Sequence, residues 1–437
     1  MVAVTQSLSS VPPIDLAQLF AESPKAAGSH DRCVPLARTL ELVPELRRRY
    51  GITRISDATR LDRVAIPTIC AIVPDSDDVI SNYSGKGATY EHALASAVME
   101  ATERQICARF DPPTVSLRPC DIGGGIDLKG LGLYEEAWDR PCQFVAGIDA
   151  ISAEVVPVPL ALVRCPWNGP RTFDTSSTNG LASGNNLTEA VYHALFELVE
   201  RHVWSMTHAR AHLRPRFLLE AFARRIGVEP DFSSLVDDAV AKEIRLPTGC
   251  AAVDSLIAEV EAAGLSIRVL ALEEPGLPVC IIASIRQLGV DPPLAHAGLG
   301  CSWSPEHAAM RAITEAVQGR LVDFQGARED MLREDDPRTC YGNHGRRRST
   351  LPHGRWYFDA PAQVVTLHSI SDRSCSDLGR ELRALVDAVD AAGAPRVVVV
   401  DLSPSDLPIS VARVIVPGLE TGMVDGRIGA ALRRVIS

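Results

Sequence analysis

The 437-residue sequence predicts an α+β fold, in which helices and strands mix without strict βαβ alternation. Three observations predict it. Strand-like apolar runs (Ile66–Val73, Ile267–Leu272, Val279–Ile285 and Arg396–Asp401) are scattered irregularly among helical segments. Neither a G-x-G-x-x-G after a strand nor a G-x-x-x-x-G-K-[ST] occurs, which removes the two commonest nucleotide-binding sheets. Three helical segments, far apart in the chain, carry the same acidic signature behind a loop of small residues.

Taken in order, residues 1–30 are rich in Ser, Pro and Ala and start loosely ordered. Residues 33–50 read as helix, Gly51–Ser56 and Ile66–Val73 as strands, and 82–89 as a turn-rich loop. That loop opens the first acidic helix, 90–110. A loop region around Gly123-Gly-Gly follows. The run 155–163 is strand-like, and its prolines place it at a sheet edge. A polar loop at 175–186 opens the second acidic helix, 187–208. The third loop is Gly298–Ser302, and Pro305 stands in the first turn of the third helix, where proline is tolerated. Residues 326–358 read as a polar excursion over the surface. A helix at 377–392 then precedes a buried strand, 396–401.

The acidic signature can be counted. Shifting the first segment by 97 superimposes Ala93, Ala97, Glu100, Glu103 and Arg104 on Ala190, Ala194, Glu197, Glu200 and Arg201, and Gly87 on Gly184. Shifting it by 215 superimposes Glu91, Ala93, Ala97 and Glu100 on Glu306, Ala308, Ala312 and Glu315. Gln318 then stands for Glu103, and the arginine slips one place to Arg320. Glutamates three apart share a helix face, and the alanines keep that side thin enough for a neighbouring element or a ligand. A single Glu…Arg pair four apart is an ordinary surface ion pair, worth about 0.3–0.5 kcal/mol. Three copies in one register instead predict that the acidic faces converge.

Converging carboxylates repel unless a cation joins them. An all-oxygen site suits magnesium, which bridges carboxylates to nucleotide phosphates. Lys86, the amides of Ser183–Asn185, and Arg104, Arg201 and Arg320 supply candidate phosphate contacts. Plainer roles stay open: Lys86 as a loop lysine, Asn185 or Asn186 as a helix cap, Glu189 and Glu306 as first-turn dipole partners. The eleven histidines show no ligand spacing and receive no role.

A net charge of −11 argues against nucleic acid as partner, with Arg346–Arg348 read as a solvated loop. No apolar run is long enough to cross a bilayer, and no signal peptide opens the chain. Eleven widely spaced cysteines without a C-x-x-C read as reduced core residues of a cytoplasmic protein.

Ser84-Gly-Lys86-Gly-Ala-Thr…Glu100-x-x-Glu103-Arg104, Asn179-Gly-Leu-Ala-Ser-Gly-Asn185…Glu197-x-x-Glu200-Arg201 and Glu315-Ala-Val-Gln318-x-Arg320 resemble the three ordered signatures of the YcaO family. The resemblance implies a YcaO-type fold over 51–420, after an N-terminal extension (1–50) and before a tail (421–437). It implies mixed sheets and three Glu-bearing helices around ATP. It implies that Glu100, Glu103, Glu197 and Glu200 hold Mg2+, with Ser84, Lys86, Asn185, Arg201, Gln318 and Arg320 near ATP. The implied activity is ATP-dependent phosphorylation of a peptide-bond oxygen, followed by nucleophilic substitution that yields an azoline, a thioamide or an amidine. The azoline-forming members usually end in a Pro-x-Pro-x-Pro tail, whereas this chain ends Gly429–Ser437 without one. The Val416–Glu420 segment and Arg413 are similar to members that work beside a TfuA protein, so thioamidation comes first. The substrate is then a precursor peptide or protein, with a TfuA-like or leader-binding partner and a homodimer as further expectations. A non-catalytic ATP-binding accessory protein is the rival from another class.

Overall fold

Each acidic helix springs from a strand in a different sheet. The structure is a computed structural model and describes residues 14–122, 126–173, 177–229, 240–289, 294–326, 355–421 and 429–436. Its strands are β1 Arg54–Asp57, β2 Thr68–Ile72, β3 Asn82–Lys86, β4 Val115–Leu117, β5 Cys142–Asp149, β6 Val155–Pro159, β7 Leu181–Gly184, β8 Lys242–Ile244, β9 Ser266–Leu272, β10 Val279–Gln287, β11 Leu294–Ser302, β12 Gln363–Val365, β13 Val398–Asp401 and β14 Ser410–Ile415. The acidic helices are α1 Tyr90–Arg109, α2 Leu187–His208 and α3 Pro305–Gln325, and α4 is Leu378–Ala391. The sheets run β1-β2-β3, β4-β5-β13-β14-β7 and β11-β10-β9-β8-β12. The fold is α+β with mixed sheets: every pairing is antiparallel except β8 with β12. Proline-bearing β6 pairs only with β5, as an edge strand should.

The three segments expected as small-residue loops are in fact the strands β3, β7 and β11. Their glycines misled the reading, since glycine weakens a strand. The structure shows why they are there. A Cβ on Gly85 would overlap the Ala93 carbonyl and the Ala97 amide, and one on Gly300 would overlap the Ala308 carbonyl and stand 2.8 Å from the Ala312 amide. These are the same contacts displaced by 215. Likewise a Cβ on Gly87 would lie 2.7 Å from the Ala93 amide, and one on Gly184 would lie 2.6 Å from the Ala190 amide, the same contact displaced by 97. The thin alanine faces therefore receive backbone, not ligand. The caps keep the same register: Thr89, Asn186 and Ser304 each accept from the amide three residues on. Any side chain at Gly300 forces α3 off its strand, so Gly300→Val should cost about 3 kcal/mol or more, read as a lowered urea midpoint.

Other departures are local. Residues 33–50 form two helices, Leu36–Glu41 and Val43–Tyr50, because Pro44 lacks the N–H that continuity needs and suits a first turn instead. Gly51 caps the second at φ 69°, so the first strand starts at Arg54. Gly123–Gly125, Arg346–Arg348 and most of the 326–358 excursion lie outside the described residues. The ten described cysteines are unpaired. No helix among the described residues is long and apolar enough to cross a membrane.

The described segments nearest the two termini are tied to α2 and α4. Lys25 pairs with Glu381 of α4 at 2.6 Å. The Cys33 and Val34 amides donate to Glu189 at 2.9 and 3.0 Å. Glu420 accepts from the amides of Gly429, Ala431 and Leu432, holding the Ala430–Ile436 helix against Met206 and Ala209 at the end of α2.

Candidate functional site

The acidic faces of α1, α2 and α3 do converge. Burial, then the neighbouring carboxylates of Glu100 and Glu197, push the Glu103 carboxyl up to about 8. Burial and Glu315 raise that of Glu200, against Arg201, Arg311 and Lys86. Burial would also raise Glu315, but Lys86, Arg201 and Arg311 bring it down to about 2. The site thus has two lobes. One holds Glu100, Glu103 and Glu197, and is dominated by negative charge. The other holds Glu200 and Glu315 under Lys86, Arg201 and Arg311. Arg201 spans them, 3.7 Å from Glu197 and 3.4 Å from Glu200. Glu197 is aimed by the Gly180 amide, which donates to it at 2.9 Å.

The other expected residues have definite places. Lys86, at the end of β3, pairs with Glu315 of α3. Gln318 donates to the Ser84 carbonyl and so ties α3 to β3. Asn185 is held on both sides, donating to Glu189 at 2.9 Å and accepting from Thr39 at 2.8 Å; Asn186 is the helix cap. Two of the expected arginines are held by carboxylates. Arg104 is engaged bidentately by Asp78 at 2.7 and 3.0 Å, with a third bond to Thr178. Arg320 is almost fully buried; its fork binds Asp62 at 2.6 and 3.2 Å and Gln287 at 3.1 Å. A phosphate contact by either arginine would require these pairs to open.

Three groups escaped the sequence reading. Arg311 lies one turn before Glu315 on the same face. Its counterparts in the repeat are Ser96 and His193, so superimposing the copies hides it. Glu189 does more than favour the α2 dipole: it is fully buried and accepts from Arg32, Cys33, Val34 and Asn185. Asp31 accepts from His307 at 3.1 Å, lies 3.8 Å from both His193 and Arg311, and joins the N-terminal segment to α2 and α3. Two histidines and an aspartate in three separate segments cannot reveal such a cluster by spacing.

Burial, and after it Arg32 and Arg311, lower His193 to about 3 despite Asp31. The unfolded chain titrates this residue near its ordinary value, about 6.5. Between those values the unfolded state binds the extra proton, so the stabilisation is present above pH 6.5 and is lost as pH falls. Urea midpoints between pH 7 and 4 should therefore fall less steeply in His193→Gln than in the wild type.

The donor set suits magnesium and a polyphosphate. Every carboxylate oxygen is a hard ligand, and a dication removes the repulsion that lifts Glu103. Among the described residues, no three His, Cys, Asp or Glu side chains already close on one metal position. The buried Nε atoms of Arg201 and Arg311 lack a hydrogen-bond partner, donors that anionic oxygens can satisfy.

Comparison with known proteins gives this geometry a context. A family model described as YcaO cyclodehydratase, ATP- and Mg2+-binding, matches residues 84–420. An uncharacterized protein of Methanothermobacter thermautotrophicus is 32% identical over 416 residues, covering 93% of this chain and all of the relative. An uncharacterized protein encoded in the tfuA 3' region of Rhizobium leguminosarum bv. trifolii is 32% identical over 432 residues, covering 93% of this chain and 92% of its own. The solved structure of YcaO from Methanopyrus kandleri, bound with AMPPCP and Mg2+, shares the fold with a TM-score of 0.65 at 23% identity, over 93% of this chain and 98% of that one.

Proposed function

The chain belongs to the YcaO family, an ATP- and Mg2+-binding family, and we propose that it is an ATP-dependent enzyme that converts a backbone amide of a ribosomally made peptide or protein into a thioamide. The observation that carries the reading is the convergence of three acidic helices on one charged site. Thioamidation rather than azoline formation is favoured by the relative encoded in the tfuA 3' region.

Glu100, Glu103, Glu197 and Glu200 would hold magnesium, and Lys86, Arg201, Gln318, Ser84 and Asn185 would surround the nucleotide. When bound, Mg-ATP supplies an electrophilic γ-phosphoryl group whose charge the metal neutralises. Arg201 is suited to follow that charge as it moves, because it already bridges the two lobes. Lys86 exchanges Glu315 for a phosphate oxygen, trading one anionic partner for another. The substrate amide oxygen takes the phosphoryl group, a sulfide adds to the amide carbon, and the oxygen departs as phosphate. C=O becomes C=S without net oxidation.

The test is mass spectrometry of a candidate peptide incubated with the full chain, Mg-ATP, a sulfide donor and any TfuA-like partner. Thioamidation adds about 16 Da; a loss of about 18 Da would mark the cyclodehydration named in the family model. Nucleotide binding without peptide-dependent phosphate release would instead leave an accessory role.

A further inference from the structure

The Arg214–Ile226 helix presents an apolar face that nothing in the proposed chemistry uses. Twelve large hydrophobic side chains are exposed among the described residues, and five fall between Phe217 and Val228. Phe222 is 61% exposed, Ile226 54%, Leu218 49% and Phe217 47%. Leu218, Phe222 and Ile226, spaced by four, form one stripe along the helix, while Phe217 faces another side. Scattered exposed apolar residues need no explanation, but a contiguous patch marks an interaction site.

Charge and area identify the occupant. Arg214 lies one turn before Leu218 and Arg225 one turn after Phe222, both exposed and on the same side of the helix as the stripe. Arg224, on the other side of the helix, is paired with Glu220, the helix's one acid. A basic, apolar strip on a chain of net charge −11 attracts an acidic, apolar ligand. A second copy of this chain would set arginine against arginine. The patch offers on the order of 500 Å2, below the roughly 800 Å2 per partner of a stable dimer, yet enough for one helix laid along it.

We propose that this face docks an acidic amphipathic helix of a partner polypeptide. The docking helix continues from α2 through the wide turn Ala209–Leu213, about 25 Å along the axis from Glu200 to Phe217 at 1.5 Å per residue. A partner seated there stands at the far end of the helix that carries Glu197 and Glu200.

The inference is independent of the proposed reaction and has its own test. The probes are two labelled synthetic 18-residue amphipathic helices, identical in their leucine and phenylalanine face, one with glutamate and the other with lysine on the polar face. Fluorescence anisotropy with the full chain should show the glutamate peptide binding at least tenfold tighter than its lysine twin, weakening in 0.5 M salt. Leu218→Ser, Phe222→Ser should reduce that binding at least tenfold while leaving the Mg-ATP thermal shift unchanged, since both positions are exposed. Equal binding of the two peptides, binding of neither, or full binding by the variant overturns the proposal. So does a dimer in analytical ultracentrifugation that the variant dissolves, which would make a second copy the occupant. Binding of the glutamate peptide that appears only on deletion of residues 230–239 would overturn it too, by making this chain's own segment the natural ligand.

Discussion

A Glu100→Gln, Glu197→Gln double variant keeps its fold and loses the stabilisation that Mg-ATP confers on the wild type. The two side chains come from different helices and both raise the Glu103 carboxyl, so they face one volume. Ligand at a hundred times its Kd stabilises the native state by about 2.7 kcal/mol; the variant should show none of it in a thermal melt, and its peptide-dependent phosphate release should fall at least a hundredfold. Without ligand, the same replacement relieves repulsion instead of creating it. A carboxyl raised from its ordinary value to about 8 in the folded state contributes stability below pH 4.5 that disappears as pH rises through 8. Glu103→Gln should therefore flatten the decline in ligand-free stability between pH 5 and 8. A wild-type Mg-ATP shift in the double variant would remove these carboxylates from the metal.

The second large effect concerns stability. Arg320→Met should cost about 3–5 kcal/mol, because it strands Asp62, itself almost fully buried, without its bidentate partner. Equilibrium urea unfolding measures this directly. Replacing Asp62 by Asn in the same chain should recover part of the loss, since a neutral amide costs less to bury than an unpaired carboxylate. If Arg320→Met instead unfolds like the wild type while weakening nucleotide binding, the Asp62 pair is incidental and the arginine belongs with the phosphates.

These two arginines show how far the sequence could be read. Arg201 and Arg320 occupy nearly the same place in the repeat, but the first spans the site and the second is buried against Asp62. Nothing in the spacing distinguishes them, because Asp62 is 258 residues away. Helix α2 was readable end to end, since its apolar period and its Asn186 cap agree. The strands before the acidic helices were not, since Gly85, Gly184, Gly298 and Gly300 read as loop residues until the helix they must clear is seen. Glu100, Glu103, Glu197 and Glu200 stand out in the sequence because the first two copies of the repeat carry them in one register. Arg311 is hidden because its repeat counterparts are Ser96 and His193, and Asp31 because it lies outside the repeat altogether.

The placement of β3, β7 and β11 in three different sheets has a consequence for assembly. Each sheet delivers one wall of the site, and no two walls are close in sequence. A half-folded chain can have most of its helices and strands and still be blind to nucleotide. Ligand affinity should therefore appear last during refolding and vanish first under denaturant, making it a stricter gauge of completeness than circular dichroism.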